Sequence, residues 1–220
     1  MGSIFNYDGP LWRGLGKLAD LIILNLLTIL FCVPIVTIGA SITATHYTAL
    51  KLHRGEGYVM RNFWKSFKEN FVQSTILWLM LIVMIGICLI DFWYLTSSTS
   101  GMVSTIFCAV LGMIIIFVVL TSLWVFPLQS RFINPIRATI KNAFYISIKY
   151  LPRTFAMLLI GLVPVVLALL SYQLYIVLFM LGFSGPIYLC AMLYDKKFQQ
   201  MEELILERQG KKVEMEEGQI

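Results

Sequence analysis

Residues 18–50 read LADLIILNLLTILFCVPIVTIGASITATHYTAL, and Asp20 is the only side chain among them charged at neutral pH. As one straight helix these 33 residues would reach about 50 Å, well past a hydrocarbon core of about 30 Å. The segment Pro34-Ile35-Val36-Thr37-Ile38-Gly39 interrupts them, with Pro34 and Gly39 marking a helix break. Residues 21–38 suffice to cross a bilayer. Residues 40–52, rich in small side chains and Thr, must then pack on protein or line the interface.

Four further apolar runs follow, at about 71–95, 103–126, 154–171 and 175–194. Hydrophobic residues make up 59% of the chain and charged residues 13%, against about 25% charged in soluble domains. A soluble chain of 220 residues could not hide that much apolar surface, whereas lipid removes the need. The expected class is an all-α polytopic membrane protein of about five spans, the first running 18–50 with its break at 34–39. Residues 1–194 form the membrane domain and 195–220 a charged cytoplasmic tail, with Tyr194, Phe198, Met201 and Ile205 continuing the last span as an amphipathic helix as far as Gly210. Leu11, Leu15 and Leu18 add a short interfacial helix before the first span. Residues 1–20 do not read as a signal peptide, and Asn6 argues against myristoylation at Gly2.

The basic residues set the orientation. The connections 51–70 and 127–153 carry five Lys/Arg each, and the tail adds five more, so one assignment places fifteen of seventeen in the cytoplasm. The amino terminus is then outside and the carboxyl terminus inside a multi-pass plasma-membrane protein. Trp93, Tyr94, Tyr172 and Tyr175 would sit at the outer interface, and Trp124, Tyr150 and Tyr194 at the inner one. The net charge of +5 is therefore topological; no nucleic-acid fold or aromatic-interleaved basic groove accompanies it.

Two cytoplasmic-side amphipathic helices lie in those connections, at 61–71 and 133–151. Their basic residues Arg61, Lys65 and Lys68, then Arg137, Lys141 and Lys149, face anionic headgroups. An offset of 81 aligns Phe63 with Phe144, Trp64 with Tyr145, Ser66 with Ser147 and Lys68 with Lys149. This reads either as a parallel internal repeat of span, amphipathic helix, span, or as chance likeness between two juxtamembrane helices.

Asp20, Asn25, His46 and Asp91 are the polar groups in or at the spans, and a polar group in hydrocarbon is costly unless partnered. They are candidates for an outward-facing polar site. The competing reading makes Asp20 and Asp91 interfacial residues and His46 a hydrogen-bonded packing element. Cys32, Cys88, Cys108 and Cys190 fall in four different runs, a spacing that suits packing rather than disulfides or metal. No phosphate-cradling or hydrolase motif is present, and no cofactor or metal is signalled. Ala40, Ala44 and Thr48 recur at i, i+4, a small-residue face that permits close approach either within the bundle, the default reading, or to a partner subunit. Gly182 and Gly185-Pro186 break the fifth span, leaving backbone groups that a neighbour must satisfy.

The segments Lys17–Leu27, Pro34–Ala40 and Tyr58–Phe71 together resemble the YesL family of small bacterial integral membrane proteins of unknown function. Lys141-Asn142-Ala143-Phe144 and Leu151-Pro152-Arg153-Thr154 share the likeness, which covers most of residues 5–195 and not the tail. The resemblance implies a setting beside carbohydrate ABC-transporter systems and no catalytic residues. The expected function is thus a non-enzymatic accessory or regulatory component of a bacterial carbohydrate-uptake system, with membrane lipid and sugar-permease subunits as partners. The alternative is a small transporter or channel acting on its own.

The orientation is testable in a background lacking the four native cysteines. A cysteine at Ser98 is expected to react with an impermeant maleimide in sealed cells, and one at Gln199 to stay unlabelled. Labelling at Gln199 would reverse the orientation.

Overall fold

The computed structural model describes residues 10–98 and 102–217. It is all-helical across them: α1 Pro10–Cys32, α2 Ile38–His53, α3 Val59–Ser98, α4 Met102–Arg131, α5 Ile136–Lys149, α6 Leu151–Leu170, α7 Tyr175–Leu181 and α8 Ser184–Glu217. Four helices are long and apolar enough to cross a membrane, and the bent pair α7–α8 meets the same length and composition requirement when its two parts are taken as one span. The protein is an all-α polytopic membrane protein.

The first apolar stretch is two helices, not one bent span. Proline disfavours helical geometry in the residue before it, so α1 stops at Cys32. Thr37 then donates its hydroxyl to Phe31 O at 2.6 Å and Pro34 O at 2.8 Å, covering carbonyls at the helix end. A 3₁₀ turn, Ile35–Thr37, reverses the chain, and α2 folds back along α1. Ser41 donates to Thr28 O at 3.1 Å, and the hydroxyls of Thr28 and Thr45 meet at 2.7 Å.

Gly39 lies inside α2 rather than at the break, and its role is close approach. A Cβ there would sit 2.3 Å from Ser74 O and 2.6 Å from Trp78 Cβ, so only glycine lets α2 rest on α3 at this crossing. Trp78 Nε1 ties α3 to the turn through Ile35 O at 3.0 Å. The α2–α3 connection turns through Gly55 and Gly57, with φ of 74° and 72°.

α2 is consequently the axis of the bundle, packed by α1, α3, α4 and α8. Ala40, Ala44 and Thr48 are each fully buried among these helices. The small-residue face therefore serves the bundle and is not a partner surface. Trp124 and Tyr194 are also fully buried, their rings tilted against each other and against Phe198, so they belong to the core and not to an interfacial aromatic belt.

Other elements differ from their expected bounds. The interfacial helix at Leu11–Leu18 is continuous with the first span, and the basic amphipathic stretch 61–71 with the second, because nothing in either junction breaks the helix. The second amphipathic helix, α5, does stop, at Tyr150 (φ −114°, ψ 42°), before Pro152 in the first turn of α6. Of the pairs aligned by the 81-residue offset, Ser66 and Ser147 are both buried and Trp64 and Tyr145 both exposed, whereas Phe63 and Phe144 differ, at 1% and 45% exposed. α8 runs past Gly210 to Glu217. The residues bearing on myristoylation, 1–9, and positions 99–101 of the connection at 96–102 lie outside the described residues.

The Gly39 crossing can be tested by thermal unfolding in detergent. Gly39→Ala must push two backbones apart, and is expected to lower stability by at least about 1–3 kcal/mol. Gly161→Ala, with open space around it, should be neutral or stabilise by up to about 1 kcal/mol. Equal behaviour of the two variants would contradict the crossing.

Candidate functional site

The polar groups of this protein gather along α2 and where α2 meets α8. Ser41, Thr43, Thr45 and Thr48 are all buried. Their geometry follows from helix chemistry, since a Ser or Thr in a helix can return its hydroxyl to the carbonyl four residues back. Thr45 bonds Ser41 O and Thr48 bonds Ala44 O, each at 2.8 Å. Thr43 reaches both Gly39 O at 2.9 Å and Ser74 Oγ of α3 at 2.8 Å. The hydroxyls thus satisfy themselves locally and use what remains to tie α2 to α1 and α3.

His46 continues the seam, with Nδ1 3.1 Å from the Tyr194 hydroxyl of α8. At the C-cap of α2, Arg54 donates from Nε at 2.9 Å and Nη2 at 2.6 Å to Asp195 Oδ1. Gln199 donates to the other carboxylate oxygen at 3.2 Å, and His53 Nε2 stands 3.8 Å from it. Asp195 is only 5% exposed. A carboxylate so enclosed depends on its cation, since breaking a buried pair typically costs about 3–5 kcal/mol. Farther along α8, Arg131 pairs with Glu202. At the loop below α2, a hydrogen bond from Lys51 holds the exposed Glu56 carboxyl below the usual carboxylate range.

Asn25 does something different. Pro186 has no amide to give Gly182 O, so a continuous helix fails here, and α7 and α8 meet at 55°. The Asn25 carboxamide of α1 enters the gap. Its Nδ2 donates to Phe179 O at 2.7 Å, while its Oδ1 accepts from the amides of Phe183 and Ser184, each at 2.8 Å. Phe179 O and Phe183 N would be partners in an unbroken helix. Asn25 stands between them and satisfies both.

The four polar residues singled out in the sequence do not form one cluster. Asn25 and His46 are buried and each bonds to the broken fifth span, at separate places. Asp20 is half-buried on α1, and Asp91 is exposed on the far half of α3. Pro34 does mark the break. The basic residues Arg61, Lys65, Lys68, Arg137, Lys141 and Lys149 are all exposed, as expected of residues on the polar side of amphipathic helices. No group of three metal-ligating side chains occurs among the described residues.

Tertiary contacts also reveal groups that sequence reading passed over. Gln129 of α4 donates to Gln73 Oε1 at 2.6 Å and Asn70 Oδ1 at 3.2 Å, and accepts from Thr139 of α5 at 3.3 Å. Trp124 Nε1 donates to Thr154 Oγ1 at 2.9 Å. A pair such as Arg54 and Asp195, 141 positions apart, leaves no local signal. With Gln129 on Asn70, Arg131 on Glu202 and Lys197 over the Tyr150 ring at 5.6 Å, the three basic segments meet at one end of the bundle.

Residues 21–92 match the sequence profile of a family described as a protein of unknown function, DUF624. No curated protein and no solved structure matches the chain. The DUF624 match starts one residue after Asp20 and ends one residue after Asp91. It therefore holds most of α1, all of α2 and the length of α3 that packs on it, which is the fold-back unit with its Thr28–Thr45, Thr43–Ser74 and Gly39 contacts.

The Asn25 clasp is open to test. Asn25→Leu strands one carbonyl and two amides, at about 1–3 kcal/mol each. A lower unfolding temperature and faster hydrogen exchange at Phe183 and Ser184 are expected. Unchanged exchange there would show that Asn25 does not hold the break.

Proposed function

We propose that this protein is a non-catalytic accessory or regulatory component of a bacterial carbohydrate-uptake system, with the basic end of the bundle facing the cytoplasm. The observation that carries the reading is the extension of α8. Its early turns are locked to the bundle through Asp195, Phe198 and Glu202. Beyond them Leu204, Ile205 and Leu206 are 55%, 44% and 66% exposed on a helix outside the apolar spans. Contiguous exposed apolar residues on an arm of this kind suit attachment to another protein.

The choice of a sugar permease as that protein rests on the resemblance to the YesL family, with which the DUF624 match accords. The non-enzymatic part of the reading is supported by how the interior polar groups are used. Asn25, His46 and Asp195 are each engaged with partners inside the bundle, leaving their chemistry committed to packing. The alternative, a transporter or channel, draws on the α7–α8 break, since broken helices form substrate sites in several transporter folds. Against it, Asn25 occupies the backbone groups that such a site would offer.

Purification from native membranes in mild detergent discriminates between them. Stoichiometric permease or ATPase subunits are expected with the intact chain and to be lost from Leu204→Ser/Leu206→Ser, at unchanged levels of inserted protein. A homo-oligomer without such subunits would favour the transport reading and sink this one.

A further inference from the structure

A cleft of about 660 Å³ lies between α3, α4 and α5. Leu77, Leu81 and Val118 close its inner side, each at most 9% exposed, and Met84, Ile114 and Phe144 flank it. Its one hydroxyl, that of Thr121, already donates to Phe117 O at 2.7 Å. Nothing on these walls would hold water, and an apolar space this much larger than the ~30 Å³ share of one water loses dispersion contacts when left empty. Two of the three flanking helices, α3 and α4, are long and apolar enough to span a membrane, so hydrocarbon is the filling at hand.

The charged side chains on its lining both come from α5. Arg137 and Lys141, one turn apart on the same face of α5, border the cleft where that helix crosses it. Neither makes a salt bridge among the described residues. An apolar slot with two unpaired cations at its mouth has the shape and polarity of an anionic amphiphile. A soluble sugar or a peptide carboxylate would match the mouth and waste the slot.

We propose that this cleft is a specific site for one anionic phospholipid. An acyl chain lies along Leu81 and Val118, and the phosphate sits between the Arg137 guanidinium and the Lys141 ammonium. α5 packs mainly on α4 and α6. The bound lipid adds a bridge from α5 to α3, fixing an amphipathic helix against the span pair beside it. This differs from diffuse attraction of basic helices to an anionic surface, which would treat all exposed cations alike.

Native mass spectrometry of the full chain, taken from nanodiscs of mixed phosphatidylglycerol and phosphatidylcholine, tests the site. One phosphatidylglycerol per chain is expected to be retained in preference to phosphatidylcholine. Each cation near an anionic group is worth about fivefold, so Arg137→Gln/Lys141→Gln should weaken retention roughly thirtyfold. Lys65→Gln/Lys68→Gln, which removes two exposed cations away from the cleft, should leave it within about twofold. Equal retention of the two lipids, equal loss in both variants, or displacement by inorganic phosphate would overturn the proposal. Should the double variant fail to insert, the unaltered protein decides the matter with a phosphatidylglycerol carrying a diazirine on its acyl chain. Cross-links within 77–84 and 114–121 support the site, and cross-links confined to other segments refute it.

Discussion

Hydrocarbon offers no hydrogen bonds, so a polar group that this chain carries into the bilayer is costly unless partnered within the protein. Among the buried side-chain nitrogen and oxygen atoms of the described residues, only the hydroxyls of Thr75 and Ser184 lack a partner. α2 concentrates that demand. It is too short to rank as a span and too apolar for water, yet it holds four buried hydroxyls and a histidine. Folding back along α1 meets the demand at Thr28, and Gly39 meets it by bringing Ser74 within reach of Thr43. The other helices assemble around this axis. Tyr194 reaches His46 from α8, and Trp124 packs on Tyr194 from α4. The break in the last span then lies where α1 can reach it, and Asn25 answers the groups it exposes.

The charged end obeys the same constraint with larger stakes. Arg54 and Asp195 are largely withdrawn from solvent, and such a pair need not stabilise the fold relative to an apolar one. What it does is fix partners. With one acceptor and one guanidinium in place, α8 can dock on the end of α2 in only one register, and Arg131 with Glu202 repeats the choice farther along. Hydrogen bonds through Gln129 hold α3, α4 and α5 in register beside them. Gathering the basic segments at one end is therefore a packing result as well as an electrostatic one, and it leaves Arg137 and Lys141 beside an apolar cleft.

The apolar runs made the class plain from sequence, because length and hydropathy fix what can cross a bilayer. The amphipathic faces were equally readable: Phe63 and Phe67 point inward while Arg61, Lys65 and Lys68 stay outside. Local pattern could not tell that residues after Pro34 reverse direction, since a kinked span and a fold-back share the same proline. Nor could it separate Ala44 facing a partner from Ala44 buried within the bundle; small residues allow either. Asn25 drew attention as a polar residue in a span, and the expectation that the Gly182–Pro186 break needs a satisfying neighbour was sound, but only the tertiary fold joins the two. Trp124 was misread because an aromatic near a span end fits a belt as well as a core.

The central claim is the reversal between α1 and α2. Cysteines in place of Thr28 and Thr45, in a chain lacking the native four, test it by mild oxidation in native membranes. The two hydroxyls lie 2.7 Å apart, so a disulfide should form in nearly all inserted molecules. In a continuous or gently kinked helix the same positions would stand about 25 Å apart. Two free thiols persisting after oxidation, in protein that is inserted and intact, would contradict the fold-back and the account built on it.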